Sequence, residues 1–425
     1  MKQSTYRAGI AILLMLLITA AMLTGCNSNS NQPAPSVSSQ PSETVVPLKI
    51  GVLSELTGSA SSSAPALKNG FEFYLETHDN KLGGRPVTLI IEDIATDPAT
   101  TLTKAKKLVE QDGVDMIVGP VNAACAYAIL EYIAEKQIPM FVGGMGAATT
   151  QMLKSDTVFR LTAATTQIAV PLAEYAYDKL GYRNIAMYSA DFAFGYENSG
   201  AFQTRFEELG GRITHKIWTA MGTNDHGTYI SQIPLDVDAV FAVQVGVDGI
   251  NFFNDYSSFG IPLPVIGPSI IEEPNIPSIL DAAEGAIVSA CWSPYLDRPE
   301  ITALRETFKE KYGVDPSYVG GGGYDAGIII DSIINAIGDD FRNPEIFSST
   351  IKSMVFHSVS GDFKYDDYNN PTRDIFIMEY RNVDGNFGNH IIDVYKGYDQ
   401  FGGKDPETTI ALTASFSKDF PPLTP

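Results

Sequence analysis

Apolar positions first gather at Leu48, Ile50, Val52 and Leu53, with Lys49 among them, a pattern that predicts a buried strand near a domain edge. Small, hydroxyl-rich residues 54–64 follow, Gly58 among them, and Pro65 stands where the first turn of a helix accepts it. Leu67, Gly70, Phe71, Tyr74 and Leu75 then recur at helical spacing on one face. A strand, a polar loop and a helix in that order put the loop outside the carboxyl end of the strand, where open α/β sheets bind ligands. The loop exceeds the roughly 2–6 residues usual for such a connection, so it reads as a binding loop. Its backbone N–H groups and the helix start favour an anionic or carbonyl group.

The same alternation continues. Gly83-Gly84 turns into a strand at 87–92, and Asp97-Pro98 caps a helix carrying Leu102, Ala105 and Val109 that Gly113 stops. Strands at 116–118 and 140–142 follow, the second leading into GGMGAATT. After 157–161 a second series begins, with strands at 184–189, 213–218, 239–243, 265–266 and 286–290. Two series of βα units imply two doubly wound α/β lobes with parallel sheets and right-handed crossovers. Beyond Glu300 the pattern is helical at Leu304, Phe308 and Tyr312, and a helix through 328–337 follows GGGGYD. The stretch SGDFKYDDYNNPTRDIFIMEYRNVDGN predicts two antiparallel strands with the turn near Asn369-Asn370-Pro371, and 401–425 reads as a C-terminal tail.

The first residues have a different character. Lys2 and Arg7 precede an apolar run, 10–23, too short to span a membrane comfortably, and the run ends Leu23-Thr24-Gly25-Cys26. That ending resembles the lipobox of bacterial lipoproteins, which implies a signal peptide over 1–25 and lipid on Cys26. Residues 26–47 are rich in Ser, Asn and Pro and read as a flexible tether. The net charge of −21 argues against nucleic acid as a partner. Cys125 and Cys291, the remaining cysteines, read as two separate buried thiols.

Reactive chemistry is not written in the chain. GMGAAT approaches a dinucleotide fingerprint but lacks its last small residue and follows the fourth strand of its lobe rather than the first. GxSxG, HExxH and the phosphate-loop motif do not occur, and His78, His215, His226, His357 and His390 lack metal-ligand spacing. The reading is a non-enzyme without cofactor or metal.

In order and spacing, IGVLSELTGSASSSAPALKNGFEF, DPATTLTKAKKLVEQDGVDMIVGP, DFAFGYENSGAFQTRFEELGG, VFAVQVGVDGINFF, Tyr324-Asp325-Ala326 and GDFKYDDYNNPTRD resemble the type I periplasmic-binding fold of bacterial ABC importers. Within it they are most similar to the branched-chain amino acid (Leu/Ile/Val) binding proteins. The resemblance implies two lobes with a central cleft and a three-strand hinge, lobe 1 over 48–164 and 292–357, lobe 2 over 165–291 and 358–400. It further implies an extracytoplasmic monomer, held to the membrane through Cys26, that captures a small solute by lobe closure. The partners it implies are an ABC permease and its ATPase subunits; the alternative is a sensor feeding a membrane receptor.

Carried over by position, the ligand contacts of the family fall on Ser63, Asn122, Ala123, Gly144 and Gly146 in lobe 1, and on Phe194, Gln244 and Ser269 in lobe 2. Several depart from the amino-acid-binding pattern. Ser63 replaces an aromatic, Ala123 and Gly146 replace hydroxyls that bind the solute carboxylate, and Ser269 replaces the acid that pairs with its ammonium. Those departures point to an aromatic or branched aliphatic carboxylate or amide before an amino acid, unless Glu272 supplies the missing acid.

Overall fold

The computed structural model describes residues 46–423, Met152 excepted. The signal segment 1–25, Cys26 and most of the 26–47 tether lie outside the described residues.

Two sheets organise the chain. The first has six strands in the order Lys81–Leu82, Arg85–Asp93, Leu48–Ser54, Met116–Val118, Met140–Val142 and Val158–Arg160. All its pairings are parallel except the short hairpin of Lys81–Leu82 with Arg85–Asp93. The second has nine strands, parallel at its centre through Arg212–Thr219, Asn184–Ala190, Ala239–Val243, Val265–Pro268 and Ile287–Ala290. Pro371–Val383 adds to it antiparallel, flanked by Gly361–Tyr365 and by Asn386–Tyr398. This is an α/β fold of two curled mixed sheets, each with its parallel strands pointing their carboxyl ends at loops that carry polar and small residues.

Periodicity explains the layers. The face of Leu48, Ile50 and Val52 packs with Phe71 and Tyr74 of the helix Ala66–Thr77 and with Ile329, Ile330 and Ile333 of the helix Tyr318–Ile337. That second helix begins ten residues before the expected 328, because Ser317 caps it by accepting from the Gly320 N–H. Its glycines lie inside the helix, where their helix propensity is poor. Close approach accounts for them: a Cβ on Gly323 would stand 2.0 Å from the Leu67 carbonyl oxygen. Ile168, Leu172 and Phe202 cover one face of the second sheet, and Phe252, Phe253 and Ile270 the other.

The expected turn at Asn369-Asn370-Pro371 joins Gly361–Tyr365 to Pro371–Val383. A further hairpin follows it, turning at Asp384 and Gly385 with φ of 53° and 86°. Residues 401–425 contain a helix, Pro406–Ser415, laid against the helix Ala193–Glu208. Cys125 and Cys291 are both buried and unbridged.

Candidate functional site

Loops at the strand ends of both sheets line one cleft. Ala60, Ser63 and Ala64 come from the opening loop, Val121, Asn122 and Ala123 from the loop after Met116–Val118, and Gly144, Met145 and Gly146 from the loop after Met140–Val142. Phe192, Phe194, Val245 and Glu272 face them from the second sheet, and Tyr318, first residue of its helix, adds to the lining. The cleft holds about 520 Å³ free of atoms, part of it continuous with solvent.

Buried charges behind the loops set their shape. Glu55, fully buried, accepts from the N–H groups of Val121 at 3.0 Å and Asn122 at 2.7 Å, tying two first-sheet loops together. Burial pushes its carboxyl above the usual range, and those amides work against the rise. Arg160, also fully buried, donates to the carbonyls of Gly144 and Gly146, to Thr150 Oγ1 at 3.1 Å and to Asn370 Oδ1 at 2.8 Å. Because a trans peptide holds its C=O and N–H in opposite directions, the Met145 N–H points away from the guanidinium. Burial pulls Arg160 down to about 10, which leaves it charged at neutral pH.

Glu197 completes this layer. It accepts from Tyr127 Oη at 2.9 Å, the Ala147 N–H at 2.7 Å and Thr165 Oγ1 at 2.8 Å. Gly144 and Gly146 owe their identity to this packing and not to a left-handed turn. A Cβ on Gly144 would stand 2.2 Å from the Val121 oxygen, and one on Gly146 2.2 Å from Tyr127 Oη.

Six of the eight expected contact positions therefore meet at the cleft: Ser63, Asn122, Ala123, Gly144, Gly146 and Phe194. Asn122 spends its side-chain oxygen on the Cys125 N–H, capping a short helix. Phe194 lies beside Phe192, ring centroids 6.0 Å apart. Gln244 is buried away from the cleft and donates to Thr219 Oγ1 at 3.0 Å, while its neighbour Val245 takes the lining position. Ser269 stands behind the lining, its hydroxyl 4.0 Å from Sδ of the cleft residue Met145. Its backbone is left-handed, φ 49°, and its hydroxyl donates to the Ser289 carbonyl at 3.3 Å.

Glu272 reaches the cleft instead. It is 4% exposed, its Oε2 has no hydrogen-bond partner, and the Ser63 hydroxyl donates to the carboxyl. Burial pushes it up to about 7. Glu273 beside it is also buried, accepts from Asn389 Nδ2 at 3.2 Å and is pushed up to about 8, again by burial. Among the described residues Glu272 is the one carboxyl that lines the cleft, and no lysine, arginine or histidine lines it. Tyr318 and Val245 carried no sequence signal beyond their apolar neighbours. Glu272 was visible only as an acid close to Ser269.

No group of three or more His, Cys, Asp or Glu among the described residues is placed to hold a metal ion. No helix among them is long and apolar enough to cross a membrane.

A family model described as periplasmic binding protein matches residues 47–386. Leu/Ile/Val-binding protein homolog 6 of Brucella melitensis biotype 1 is 26% identical over 362 residues, 82% of this chain and 92% of the relative. The structure of an ABC transporter substrate-binding protein from Sphaerobacter thermophilus superposes with a TM-score of 0.78 at 32% identity, covering 84% of this chain and 99% of that one. A solute binding protein of an ABC transporter from Rhodopseudomonas palustris BisB5, solved in complex with 3,4-dihydroxy benzoic acid, matches in fold with a TM-score of 0.79 at 22% identity, over 84% and 99% of the two chains.

Proposed function

The chain belongs to the periplasmic binding protein family, a solute-binding and non-enzymatic class, and from that premise we propose that it captures a small solute bearing a protonated amine and an apolar body for an ABC importer. The observation that carries the amine is Glu272: an unpaired, buried carboxylate oxygen on a cleft wall with no basic side chain opposite. A purely anionic solute would meet one acid and no cation there. An ammonium would meet the acid and the faces of Phe192, Phe194 and Tyr318, which attract positive charge. The Met145 N–H is a donor for an oxygen on the same solute. An amino-acid-like solute satisfies each of these groups, and this reverses the preference for a plain carboxylate that Ser269 suggested.

The finer parts of the reading follow from the same premise. The lobes 48–164 with 292–357 and 165–291 with 358–400 close on the solute, since both contribute to the cleft lining and only a closed state lets one solute touch both. Cys26 carries lipid and holds the monomer at the outer face of the membrane, where the loaded clamp meets its permease.

A thermal-shift panel tests the ligand class. L-Leucine, L-valine and L-phenylalanine are set against 4-methylpentanoate, benzoate, phenylacetate and simple amides. Stabilisation that grows with concentration for the amines alone supports the reading. Stabilisation by the deaminated acids alone contradicts it.

A further inference from the structure

The segment after Gln400 has no part in the cleft, yet it is fastened along the element that carries the aromatic wall. Its start is fixed: Gln400 donates to Asp366 Oδ2 at 2.7 Å, and accepts from Gln151 Nε2 at 3.2 Å and, through its carbonyl, from Thr166 Oγ1 at 2.8 Å. Lys404 then pairs with Glu208 at 2.6 Å, at the last residue of the helix Ala193–Glu208. The helix Pro406–Ser415, capped by Asp405, lies against that same helix.

Beyond it the contacts move toward the cleft. Phe416 packs on Gly200, where a Cβ would stand 2.3 Å from the ring. Gln203 Nε2 donates to the Pro422 carbonyl at 2.8 Å, and Lys216 donates to that of Pro421. Lys418 Nζ reaches Asp191 Oδ2 at 2.7 Å. Asp191 also accepts from Tyr196 Oη, and Tyr196 stands edge-on to Trp218 with centroids 5.3 Å apart. Asp191 directly precedes Phe192, and Phe192 and Phe194 line the cleft.

We propose that residues 404–422 form a strap that positions the Phe192–Phe194 wall, with Phe416 and Lys418 as its positioning residues. The strap holds the helix at its end, its middle and the turn before its start. The first turn of a helix has backbone N–H groups without intrahelical partners and needs outside contacts to stay ordered. Here Asp191, fastened by Lys418, accepts from Tyr196 Oη and so holds the first turn through a side chain from outside the cleft, where solute can enter without breaking the contact. The Lys418–Asp191 pair is partly exposed, and such a pair alone contributes little, so its direction matters together with the half-buried ring of Phe416 packed on Gly200. The consequence for solute binding rests on the cleft reading above; the positioning itself does not.

Hydrogen exchange on the solute-free protein tests it. In Phe416→Ala/Lys418→Ala, amides of 192–198 are expected to exchange roughly tenfold faster while those of the central second-sheet strands keep their rates. Phe416→Leu/Lys418→Arg should restore the slow rates. A chain ending at Lys404 should show a larger, equally local change; if it fails to fold, the full-length double variant decides. Unchanged exchange at 192–198, or an increase spread evenly over the second sheet, overturns the proposal. L-Phenylalanine, L-leucine and phenethylamine are then titrated, and any that binds the unsubstituted protein should bind the double alanine variant roughly fivefold more weakly. Failure of all three to bind the unsubstituted protein counts against the ligand class and leaves the exchange result to judge the strap.

Discussion

Arg160 donates to the carbonyl oxygen of Gly146 at 2.7 Å from a fully buried position, so a single guanidinium behind the wall shapes a loop in front of it. The same side chain holds Gly144, Thr150 and Asn370. Arg160→Met leaves the buried carbonyls of Gly144 and Gly146 and the Asn370 oxygen without their donor and should therefore destabilise the fold, at about 1–3 kcal/mol for each acceptor left unsatisfied. Chemical denaturation checks this. Arg160→Lys should recover little, because an ammonium lacks the planar fork that spans two carbonyls.

Gly146 is expected to tolerate no side chain. In Gly146→Ala the new Cβ meets Tyr127 Oη, and overpacking of this kind costs about 1–3 kcal/mol. Tyr127→Phe removes the nearest of the three atoms in the way, leaving Ala123 Cβ at 2.8 Å and the ring Cζ at 2.9 Å. The double variant should thus be more stable than the sum of the two single losses, and calorimetry on all four proteins measures that coupling.

The buried acids give stability a pH dependence of uncommon sign. Glu272 has an ordinary value of 4.5 and is raised by burial to about 7; Glu273 rises to about 8. Between those limits the folded chain holds protons that the unfolded chain has released, so the contribution of these two acids is full below about 4.5, falls as pH rises from there and is lost once pH has passed through about 7 to 8. For Glu272 the loss is on the order of 3 kcal/mol. Glu272→Gln should flatten part of that slope and melt higher than the unsubstituted protein at pH 8. An unchanged slope in denaturant titrations at pH 5 and pH 8 would count against a buried, ionising Glu272.

Solute affinity should run the other way. An ammonium needs the ionised carboxyl, so its affinity should rise from pH 6 to pH 8, whereas a plain carboxylate would prefer the protonated acid and weaken. Glu272→Gln should reduce amine affinity by roughly 30-fold or more, equivalent to the 2–5 kcal/mol lost when one partner of a desolvated charge pair is removed. Isothermal titration at the two pH values reads both effects.

Cys26→Ala is expected to yield a protein that no longer takes up labelled lipid or sediments stably with membranes. Continued lipid labelling of that variant would end the lipobox reading.

Most of the architecture was legible because strand and helix periods are local. Leu48 to Leu53 alternates with the helix of Leu67 to Leu75, and both lie where that pattern puts them. The helix start at Tyr318 was hidden because glycines at 320–323 oppose helix propensity, and the packing against Leu67 that requires them is a tertiary contact. The Asp384-Gly385 hairpin was legible in principle, since Asp-Gly is a strong short-turn signal. Ser269 shows the limit of position-by-position transfer. Its left-handed backbone sends the hydroxyl to Ser289, and the acid that faces the cleft is Glu272, three residues on. No pattern in the sequence records a change of φ at one serine.

A crystal structure of the protein with the solute that accompanies it through purification tests the central claim most directly. The account predicts a solute nitrogen within about 3.2 Å of Glu272 Oε2, with its apolar body against Phe194 and Tyr318. A solute that presents a carboxylate to Glu272, or that lies wholly on one sheet's loops away from Glu272, would contradict it.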